Sequence, residues 1–381
     1  MKVFLVGGAV RDELLGYPMG DKDWVVVGST PKQMITQGYS PVGKDFPVFL
    51  HPKTKEEYAL ARTERKTAEG YHGFTVHADP EVTLEEDLIR RDLTINAMAK
   101  DHQGQIIDPY HGQKDIKNKL LRHISPAFRE DPVRILRIAR FLARYHHLGF
   151  RIAPETLKLM QQMVKAGEVD SLVAERVWQE SLKALREKTP SYFFSTLEQC
   201  GALEILFPDI HALINQVKKT AWEKKCNLWL HFLSCLNQDA ASHIRLASAL
   251  KTTHYLEHSD LDEMIERLRI PKSFSQLILK TAQLHPIYYS LSQQNSEQIL
   301  DLLNQLDAFR QIQLLSHFAH ACDLNQANQT SHKEELQNYI QSAENINPAQ
   351  FIKQGLQGAQ IGRAIKEKRL ELIEKQRNKS N

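Results

Sequence analysis

The chain has 381 residues, a length that predicts about two or three domains and is ample for buried cores. Hydrophobic residues make up 42% of it and charged residues 25%, which excludes collagen-like, disordered and disulfide-scaffold classes. Because 49 Lys and Arg nearly balance 46 Asp and Glu, the net charge is only +3. This argues against bulk polycationic binding of nucleic acid, so a nucleic-acid role must depend on local charge placement.

The first residues form an apolar run that is too short for a secretory signal, and no stretch of 18 apolar residues occurs anywhere. The four cysteines are widely spaced, with neither a Cys-x-x-Cys pair nor a metal-ligand pattern. We therefore expect a cytoplasmic protein with reduced thiols and no membrane partner.

The first part of the chain alternates strand and helix signals. The sequence predicts strands at residues 2–6, 21–27, 46–50 and 57–62, a short helix at 9–15 after a Gly-Gly turn, and a helix that begins at Thr30-Pro31 and ends at Gly38. Residues 63–82 are rich in Gly, Thr, His and charge and lack a clear period, so they predict a long loop.

The rest of the chain is predicted to be helical. Thr83-Leu84-Glu85-Glu86 matches a capping box, and Asp131-Pro132 is typical of a helix start, with the helix continuing to about Tyr145. Almost no strand pattern follows. Helical apolar spacing recurs at 155–166, 173–187, 191–200, 260–269, 297–306 and 358–376. A short α/β head followed by a long helical body is the predicted organisation.

Asp21 and Asp23 follow the turn Gly7-Gly8 in the sequence. On a strand, side chains two residues apart share a face, so these carboxylates would lie side by side and need a cation. Oxygen ligands favour Mg²⁺ together with substrate phosphates, and a glycine turn before a helix suits an anion. Taken alone, two such carboxylates are more often a solvated turn, but their combination with the Gly-Gly turn favours the metal site. Glu57 is either a third carboxylate at the metal or an exposed strand charge.

The helix that starts near Asp131 carries an arginine face, which consists of Arg134, Arg137, Arg140 and Arg144. These side chains fall within about a third of the helix circumference. A solvated face usually mixes Lys, Glu and Arg, whereas this one has no carboxylate after Asp131, which favours binding of phosphate or base edges. For Arg90-Arg91-Asp92 the choice between ligand binding and a charge pair at a helix end stays open.

Together these motifs resemble the bacterial class II CCA-adding enzymes, the tRNA nucleotidyltransferases of the DNA polymerase β superfamily, and among them the multifunctional CCA protein subgroup. The resemblance covers about residues 1–209. It is carried by residues 5–12 (LVGGAVRD) with 14–16 (LLG), 21–24 (DKDW), 90–97 (RRDLTINA), 130–134 (EDPVR) with Arg137 and Arg140, and 207–209 (FPD).

The resemblance implies an α+β protein: a polymerase β-like head with a mixed sheet at 1–126, a helical neck at 127–209 and a helical body and tail at 210–381. It implies addition of C, C and A to the tRNA 3′ end from CTP and ATP. By the same resemblance, Mg²⁺ would be held by Asp21 and Asp23, and nucleotide contacts would come from Gly8, Arg11, Arg91, Arg137 and Arg140. Residues 63–82 would form the loop associated with switching from C to A addition.

Asp131 and Arg134 would, by the resemblance, serve as a protein template. Cytosine and adenine each present an amino donor beside a ring-nitrogen acceptor, which matches a carboxylate beside a guanidinium. Uracil and guanine invert this pattern, so the same pair would reject them. Asp131 is also a candidate N-cap of its helix, and both roles are compatible because the carboxylate has two oxygens.

The chain departs from the multifunctional subgroup between residues 210 and 290, where relatives carry an HD phosphohydrolase domain. No His-Asp dipeptide occurs in the sequence, and after Leu250 the chain continues Lys251-Thr252-Thr253-His254. We therefore expect no HD-type phosphatase or phosphodiesterase activity.

Two alternatives remain. A poly(A) polymerase shares nearly the same head motifs, but the lack of a long basic extension is against it. A tRNA-binding protein without catalysis is disfavoured by the intact Asp21 and Asp23.

Overall fold

The computed structural model describes residues 1–18, 20–42, 47–66, 74–215, 228–251, 261–324 and 331–380. The chain forms two compact units, Met1–Leu206 and Phe207–Asn381. None of the helices in these described ranges is long and apolar enough to cross a membrane. The predicted head at 1–126 and nearly all of the predicted neck at 127–209 fall in the first unit, and their separate roles stay a prediction.

The first unit contains a mixed sheet. Its strands are β1 Lys2–Val6, β2 Asp23–Val27, β3 Ser40–Val42, β4 Val48–Leu50, β5 Glu57–Leu60, β6 Thr63–Lys66, β7 Phe74–His77, β8 Ala99–Lys100, β9 Ile106–Ile107, β10 Leu120–Leu121 and β11 Arg151–Ile152. Within the described residues, seven of them form one sheet in the order β3-β4-β5-β2-β1-β8-β9. β2 and β5 run parallel and the other neighbours run antiparallel.

Helices lie between the strands of the first unit and make up most of its later part. They are α1 Gly8–Leu15, α2 Pro31–Thr36, α3 Leu84–Ile89, α4 Gly112–Asn118, α5 Val133–Tyr145, α6 Pro154–Lys165, α7 Ala174–Ala184, α8 Ser191–Cys200 and α9 Ala202–Leu206. Thr83 forms the predicted capping box with Glu86 at the start of α3. The predicted α+β class, a mixed-sheet head followed by helices, is confirmed.

Strand alternation places a core on each face of the sheet. Val6 and Val25 pack with Leu84 and Leu88 of α3 on one face. The adjacent residues of these strands, Leu5 and Val26, point to the opposite face. There Val26 packs against Met34 of α2, and Leu5 packs against Ala9 and Val10 of α1. Both faces of the sheet are therefore covered by helices.

The second unit is helical throughout its described part. Its helices are α10 Pro208–Asn215, α11 Leu228–Leu236, α12 Ser242–Leu250, α13 Leu261–Arg267, α14 Lys272–Tyr289, α15 Ser296–Gln305, α16 Ile312–Asp323, α17 Lys333–Ala343, α18 Ala349–Lys353 and α19 Ala359–Ser380.

Two sequence predictions need correction. The described parts of the predicted loop 63–82 include β6 and β7, which pair antiparallel with Thr63 opposite His77, because Phe74-Thr75-Val76 is a β-prone run. Residues 67–73 of that loop lie outside the described residues. β2 begins at Asp23 rather than Asp21, because β1 offers its last pairing partner, Val6, to Asp23.

Candidate active site

A glycine turn and two carboxylates meet at one edge of the sheet. β1 runs antiparallel to β2 with Val6 opposite Asp23, so the turn after β1 lies beside the start of β2. Gly7 adopts φ +70° and ψ −127°, which side chains disfavour, and α1 begins at Gly8. A Cβ atom on Gly7 would lie 2.7 Å from Nη1 of Arg91. Glycine therefore permits this guanidinium to approach the backbone.

Asp21 and Asp23 line the same cavity, although Asp21 precedes the strand and is not paired through strand alternation. Loss of hydration raises the pKa of Asp23, Arg91 opposes this rise, and Glu57 and Asp21 add to it. Glu57 stands opposite Asp23 in the parallel pair of β2 and β5. Three carboxylates thus interact at this edge, and their mutual repulsion is what a bound cation relieves.

Arg11 of α1 is held at the cavity wall by a buried carboxylate. Its Nε donates to Oδ1 of Asp12 at 2.8 Å, and its Nη1 donates to Oδ1 of Asn96. Asp12 also accepts from the Tyr145 hydroxyl at 2.6 Å and from Nη2 of Arg144 at 3.1 Å. Since Tyr145 and Arg144 belong to α5, Asp12 joins α1 to α5 and fixes the guanidinium of Arg11.

Arg90 and Arg91, which directly follow α3, pair with a buried carboxylate of that helix. Nη2 of Arg90 lies 2.8 Å from Oδ1 of Asp87, and Nη2 of Arg91 lies 3.2 Å from Oδ2. Burial raises the pKa of Asp87, but the two guanidinium groups outweigh it and hold that pKa below its usual value. Both arginines also line the cavity. They therefore form the charge pair at the helix end and are also available to a ligand.

All four members of the arginine face line the cavity. Nε of Arg137 donates to Oδ2 of Asp92 at 2.7 Å, and Nε of Arg140 donates to Oε2 of Glu180 at 2.7 Å. Burial alone would raise the pKa of Asp92, but Arg137 and the hydrogen bond from Asn96 hold it well below its usual range. For Arg137, Arg140 and Arg144, the carboxylates missing from the helix itself are supplied by other segments, which fixes the direction of these three guanidinium groups.

Asp131 and Arg134 are each held by protein groups. Oδ1 of Asp131 accepts the N–H of Val133 at 3.2 Å, so the carboxylate caps the first turn of α5. Its Oδ2 accepts from Nη2 of Arg176 at 3.2 Å. Nη2 of Arg134 donates to the backbone carbonyl of Arg90 at 2.6 Å. One oxygen of Asp131 therefore serves the helix cap and the other faces a cation.

Sequence reasoning missed the contribution of α7. Four polar side chains of this helix line the cavity: Arg176, Gln179, Glu180 and Lys183. Their spacing of three, one and three residues places them on one helical face. Burial raises the pKa of Glu180, but Arg140 and Lys183 hold it below its usual value. A polar face of this spacing within the predicted helix 173–187 was the signal that could have identified them.

The cavity has a volume of about 830 Å³. It is lined by every site residue predicted from the sequence: Gly8, Arg11, Asp21, Asp23, Arg91, Asp131, Arg134, Arg137 and Arg140. Asp21 and Asp23 lie at the sheet edge, and the four guanidinium groups of the arginine face lie along α5. Such an arrangement suits a cation at one end and a polyanion along the other.

The second unit buries a lysine at the position where the sequence lacks a His-Asp dipeptide. Lys251 follows α12 and is only 1% exposed. Its Nζ donates to the backbone carbonyls of Cys322 at 3.0 Å and of Ala321 and Leu324 at 3.4 Å. Burial lowers the pKa of this amine. The side chain thus ties the end of α12 to the end of α16.

In the part of the chain that the structure describes, no three or more His, Cys, Asp or Glu side chains are grouped to hold a metal. His254 and His258 lie outside that part. At the sheet edge, Asp21 and Asp23 supply two carboxylates, the number that Mg²⁺ commonly takes from a protein when phosphates and water complete its shell. The donor set therefore fits a Mg²⁺ ion bound together with a nucleotide.

Residues 3–122 match the family model described as the poly A polymerase head domain. Residues 149–214 match the model described as a probable RNA and SrmB-binding site of polymerase A. A crystal structure of the Bacillus stearothermophilus CCA-adding enzyme in complex with CTP is similar in fold, with a TM-score of 0.69 and 22% identity. The match covers 97% of this chain and 88% of that one.

Two curated relatives are similar over nearly their whole length, and both are named multifunctional CCA protein. The one from Teredinibacter turnerae is 46% identical, and the match covers 98% of this chain and 97% of the relative. The one from Thioalkalivibrio sulfidiphilus is also 46% identical, with 98% of each chain covered. This chain therefore belongs to the family of multifunctional CCA proteins.

Proposed function

We propose that this chain adds C, C and A to the 3′ end of tRNA, taking CTP and ATP as substrates and releasing pyrophosphate. The observation that supports this most directly is that one cavity holds the carboxylates Asp21 and Asp23 together with the arginine face and the pair Asp131 and Arg134. Its relatives are named multifunctional CCA proteins, and a CCA-adding enzyme with bound CTP shares its fold. We also propose that it acts in the cytoplasm.

The reaction is attack of the tRNA 3′-hydroxyl on the α-phosphate of the nucleotide, with pyrophosphate as the leaving group. Asp21 and Asp23 hold a divalent metal, which we propose to be Mg²⁺. When bound, the metal would supply Lewis-acid stabilisation of the charge that develops during transfer. The two carboxylates would hold the metal at the sheet edge beside Gly7, whose lack of a side chain leaves room for the guanidinium of Arg91.

Gly8, Arg11 and Arg91 face the phosphates from the head. Gly8 opens α1, and the first N–H groups of a helix have no carbonyl partner within it, so they favour an anion. Arg11 is fixed by Asp12, and Arg91 by Asp87. Because these guanidinium groups are already oriented, little side-chain entropy is lost when they bind the triphosphate.

Arg137 and Arg140 contact the phosphates and sugar from α5. Each is anchored through Nε, by Asp92 and Glu180 respectively. A guanidinium has five N–H donors, so anchoring one of them leaves others for a nucleotide oxygen.

Asp131 and Arg134 select the base. A carboxylate oxygen has more than one lone pair, so Oδ2 of Asp131 can accept the amino group of cytosine or adenine while it faces Arg176. Arg134 donates to the ring nitrogen of the same base. Uracil and guanine would place a carbonyl against Asp131 and an N–H against Arg134, and both pairings are repulsive.

Incorporation of labelled CTP into tRNA that lacks its 3′ end tests the metal assignment. D21A and D23A should each abolish incorporation while the circular dichroism spectrum stays that of the wild type. E81A, which removes an exposed carboxylate of the head outside the cavity, is the matched control and should keep wild-type activity. Appreciable turnover by D21A or D23A would reject the assignment.

We further propose that the chain has no HD-type phosphohydrolase activity. In support, Lys251 places a buried ammonium at the sequence position of the missing dipeptide, and its Nζ is engaged by three backbone carbonyls. A fixed cation there repels a metal ion. Purified protein should not hydrolyse a 2′,3′-cyclic nucleotide above background. Activity that disappears in H254A or H258A would overturn this proposal.

A further inference from the structure

Arg176 of α7 is paired with the carboxylate that we assign to base selection. Its Nη2 lies 3.2 Å from Oδ2 of Asp131, and the two residues are 45 positions apart in the sequence. Both side chains are largely buried, with 27% of Arg176 and 21% of Asp131 exposed. Shielding from water strengthens such a pair relative to a surface ion pair.

The two oxygens of Asp131 have different partners. Oδ1 accepts the N–H of Val133 at the start of α5, and Oδ2 accepts from Arg176. Held at both oxygens, the carboxylate has its plane and direction fixed before any nucleotide binds. Without Arg176, the group would be held by the cap alone and could turn about its Cβ–Cγ bond.

Arg134 is positioned separately. Its Nη1 and Nη2 donate to the backbone carbonyls of Ala127 and Arg90, at 3.1 and 2.6 Å. The donor of the base-reading pair is thus oriented by main-chain carbonyls, whereas the acceptor is oriented by Arg176. Loss of Arg176 would disturb the acceptor and leave the donor in place.

The helix α7 supports the nucleotide cavity at a second point. Glu180, one turn after Arg176, accepts from Arg140 at 2.7 Å, and both α7 side chains line the cavity. One face of α7 therefore braces the beginning of α5 at Asp131 and its middle at Arg140. These contacts place Arg176 at the base-reading end of the cavity.

We infer that Arg176 is a positioning residue for nucleotide selection: it directs Oδ2 of Asp131 toward the amino group of cytosine or adenine. This inference rests on the proposed function, since it needs Asp131 to read the base. Arg176 acts through Asp131, so it affects the choice and binding of the nucleotide more than the chemical step.

The test is steady-state incorporation of CTP and UTP into tRNA lacking its 3′ end, by the full chain with Mg²⁺. Loss of one hydrogen bond to a charged group should raise KM for CTP about 10-fold in R176A, with kcat changed less than about 3-fold. The preference for CTP over UTP should fall about 10-fold, because a turning carboxylate discriminates less. R176K keeps the charge but not the planar fork, so it should restore part of the preference.

A double-mutant comparison separates positioning from general stability. If Arg176 acts through Asp131, the preference of D131A/R176A for CTP should equal that of D131A alone. R186A removes an exposed arginine outside the cavity and should behave as the wild type. If R176A does not fold, R176K replaces it in the test, and its preference for CTP over UTP should be lower than that of the wild type.

The outcomes distinguish the two proposals. A wild-type chain that adds no C to tRNA would reject the proposed function itself. A wild-type chain that adds C, C and A, together with an unchanged CTP preference in R176A or additive losses in the double variant, would reject the role of Arg176 alone. A reduced preference in R176A that is absent on the D131A background supports it.

Discussion

Replacing Asp92 by asparagine keeps the size of the side chain but should loosen the attachment of α5 to the head. Asp92 is 6% exposed, and its Oδ2 accepts from Nε of Arg137 at 2.7 Å. Its Oδ1 accepts the N–H of Leu93 at 2.9 Å and Nδ2 of Asn96 at 2.8 Å. D92N can keep the two Oδ1 bonds, but its amide N–H₂ would face the Nε–H of Arg137, so a donor would meet a donor.

The magnitude follows from the one bond that is lost. A hydrogen bond to a charged group contributes about 1.5–3 kcal/mol. Because 36% of the Arg137 side chain is exposed, water recovers part of this, and we expect a loss of about 2 kcal/mol. D92A removes all three bonds and should cost more, about 3 kcal/mol, because the N–H of Leu93 and the amide of Asn96 lose their acceptor as well.

Hydrogen exchange of the full-length protein localises the effect. At pH 7 the amides of residues 133–145 should exchange about 30-fold faster in D92N, the equivalent of about 2 kcal/mol at 1.4 kcal/mol per decade. Exchange in the second unit, for instance at residues 312–324, provides an internal control and should not change. Equal exchange of α5 in D92N and the wild type would refute the assigned role of the pair.

The stability difference between the wild type and D92N should also depend on pH. The folded protein holds the pKa of Asp92 well below its usual value, so the wild type gains stability wherever an unfolded Asp is ionised. The difference should therefore be constant above about pH 5 and shrink as the pH falls below about 4, where the unfolded chain takes up the proton first. Urea unfolding at pH 7 and pH 3.5 measures it, and a difference that grew toward low pH would contradict the sign.

Four further substitutions test other parts of the molecule. D131A and R134A should relax the choice among CTP, ATP, UTP and GTP in single-nucleotide incorporation, and unchanged selectivity would reject the base-reading pair. G7A should lower the free energy of unfolding by about 1–3 kcal/mol, because residue 7 has a φ of +70°. It should also slow incorporation, because the new Cβ displaces Arg91. A variant with the melting temperature and the activity of the wild type would show that the turn tolerates a side chain. K251M removes the hydrogen bonds from Nζ to the carbonyls of Ala321, Cys322 and Leu324, so urea unfolding of the second unit should shift by about 2 kcal/mol, and an unshifted transition would contradict the assigned contacts.

The head and the placement of Asp21 and Asp23 were largely predictable, because the signals are local. A β-rich run, a glycine pair and a helix start identify the turn at Gly7, and Asp23 follows at the next strand. The arginine face of α5 was readable from helical spacing alone. The exact start of β2 could not be predicted in this way, because it depends on where β1 ends. The last pair between the two strands is Val6 with Asp23, so Asp21 lies outside the strand.

What the sequence did not reveal are the partners of the arginines. Asp92 and Arg137 are 45 residues apart, Glu180 and Arg140 are 40 apart, and Arg176 and Asp131 are 45 apart. No local pattern encodes such pairs, because each depends on how α5 packs against the head and α7. Likewise, β6 and β7 pair across residues 67–73. Each strand is too short to show a hydrophobic period by itself, so the sequence pattern predicted a loop.

The central claim is that the cavity of the first unit builds a fixed nucleotide sequence on tRNA. Incubating the protein with tRNA that lacks its 3′ end, Mg²⁺, CTP and ATP, and then sequencing the products, tests it most directly. The account predicts molecules that end in CCA and stop there. A long A tail would instead indicate a poly(A) polymerase, and unextended tRNA would indicate a protein that binds without catalysis; either result would contradict the account.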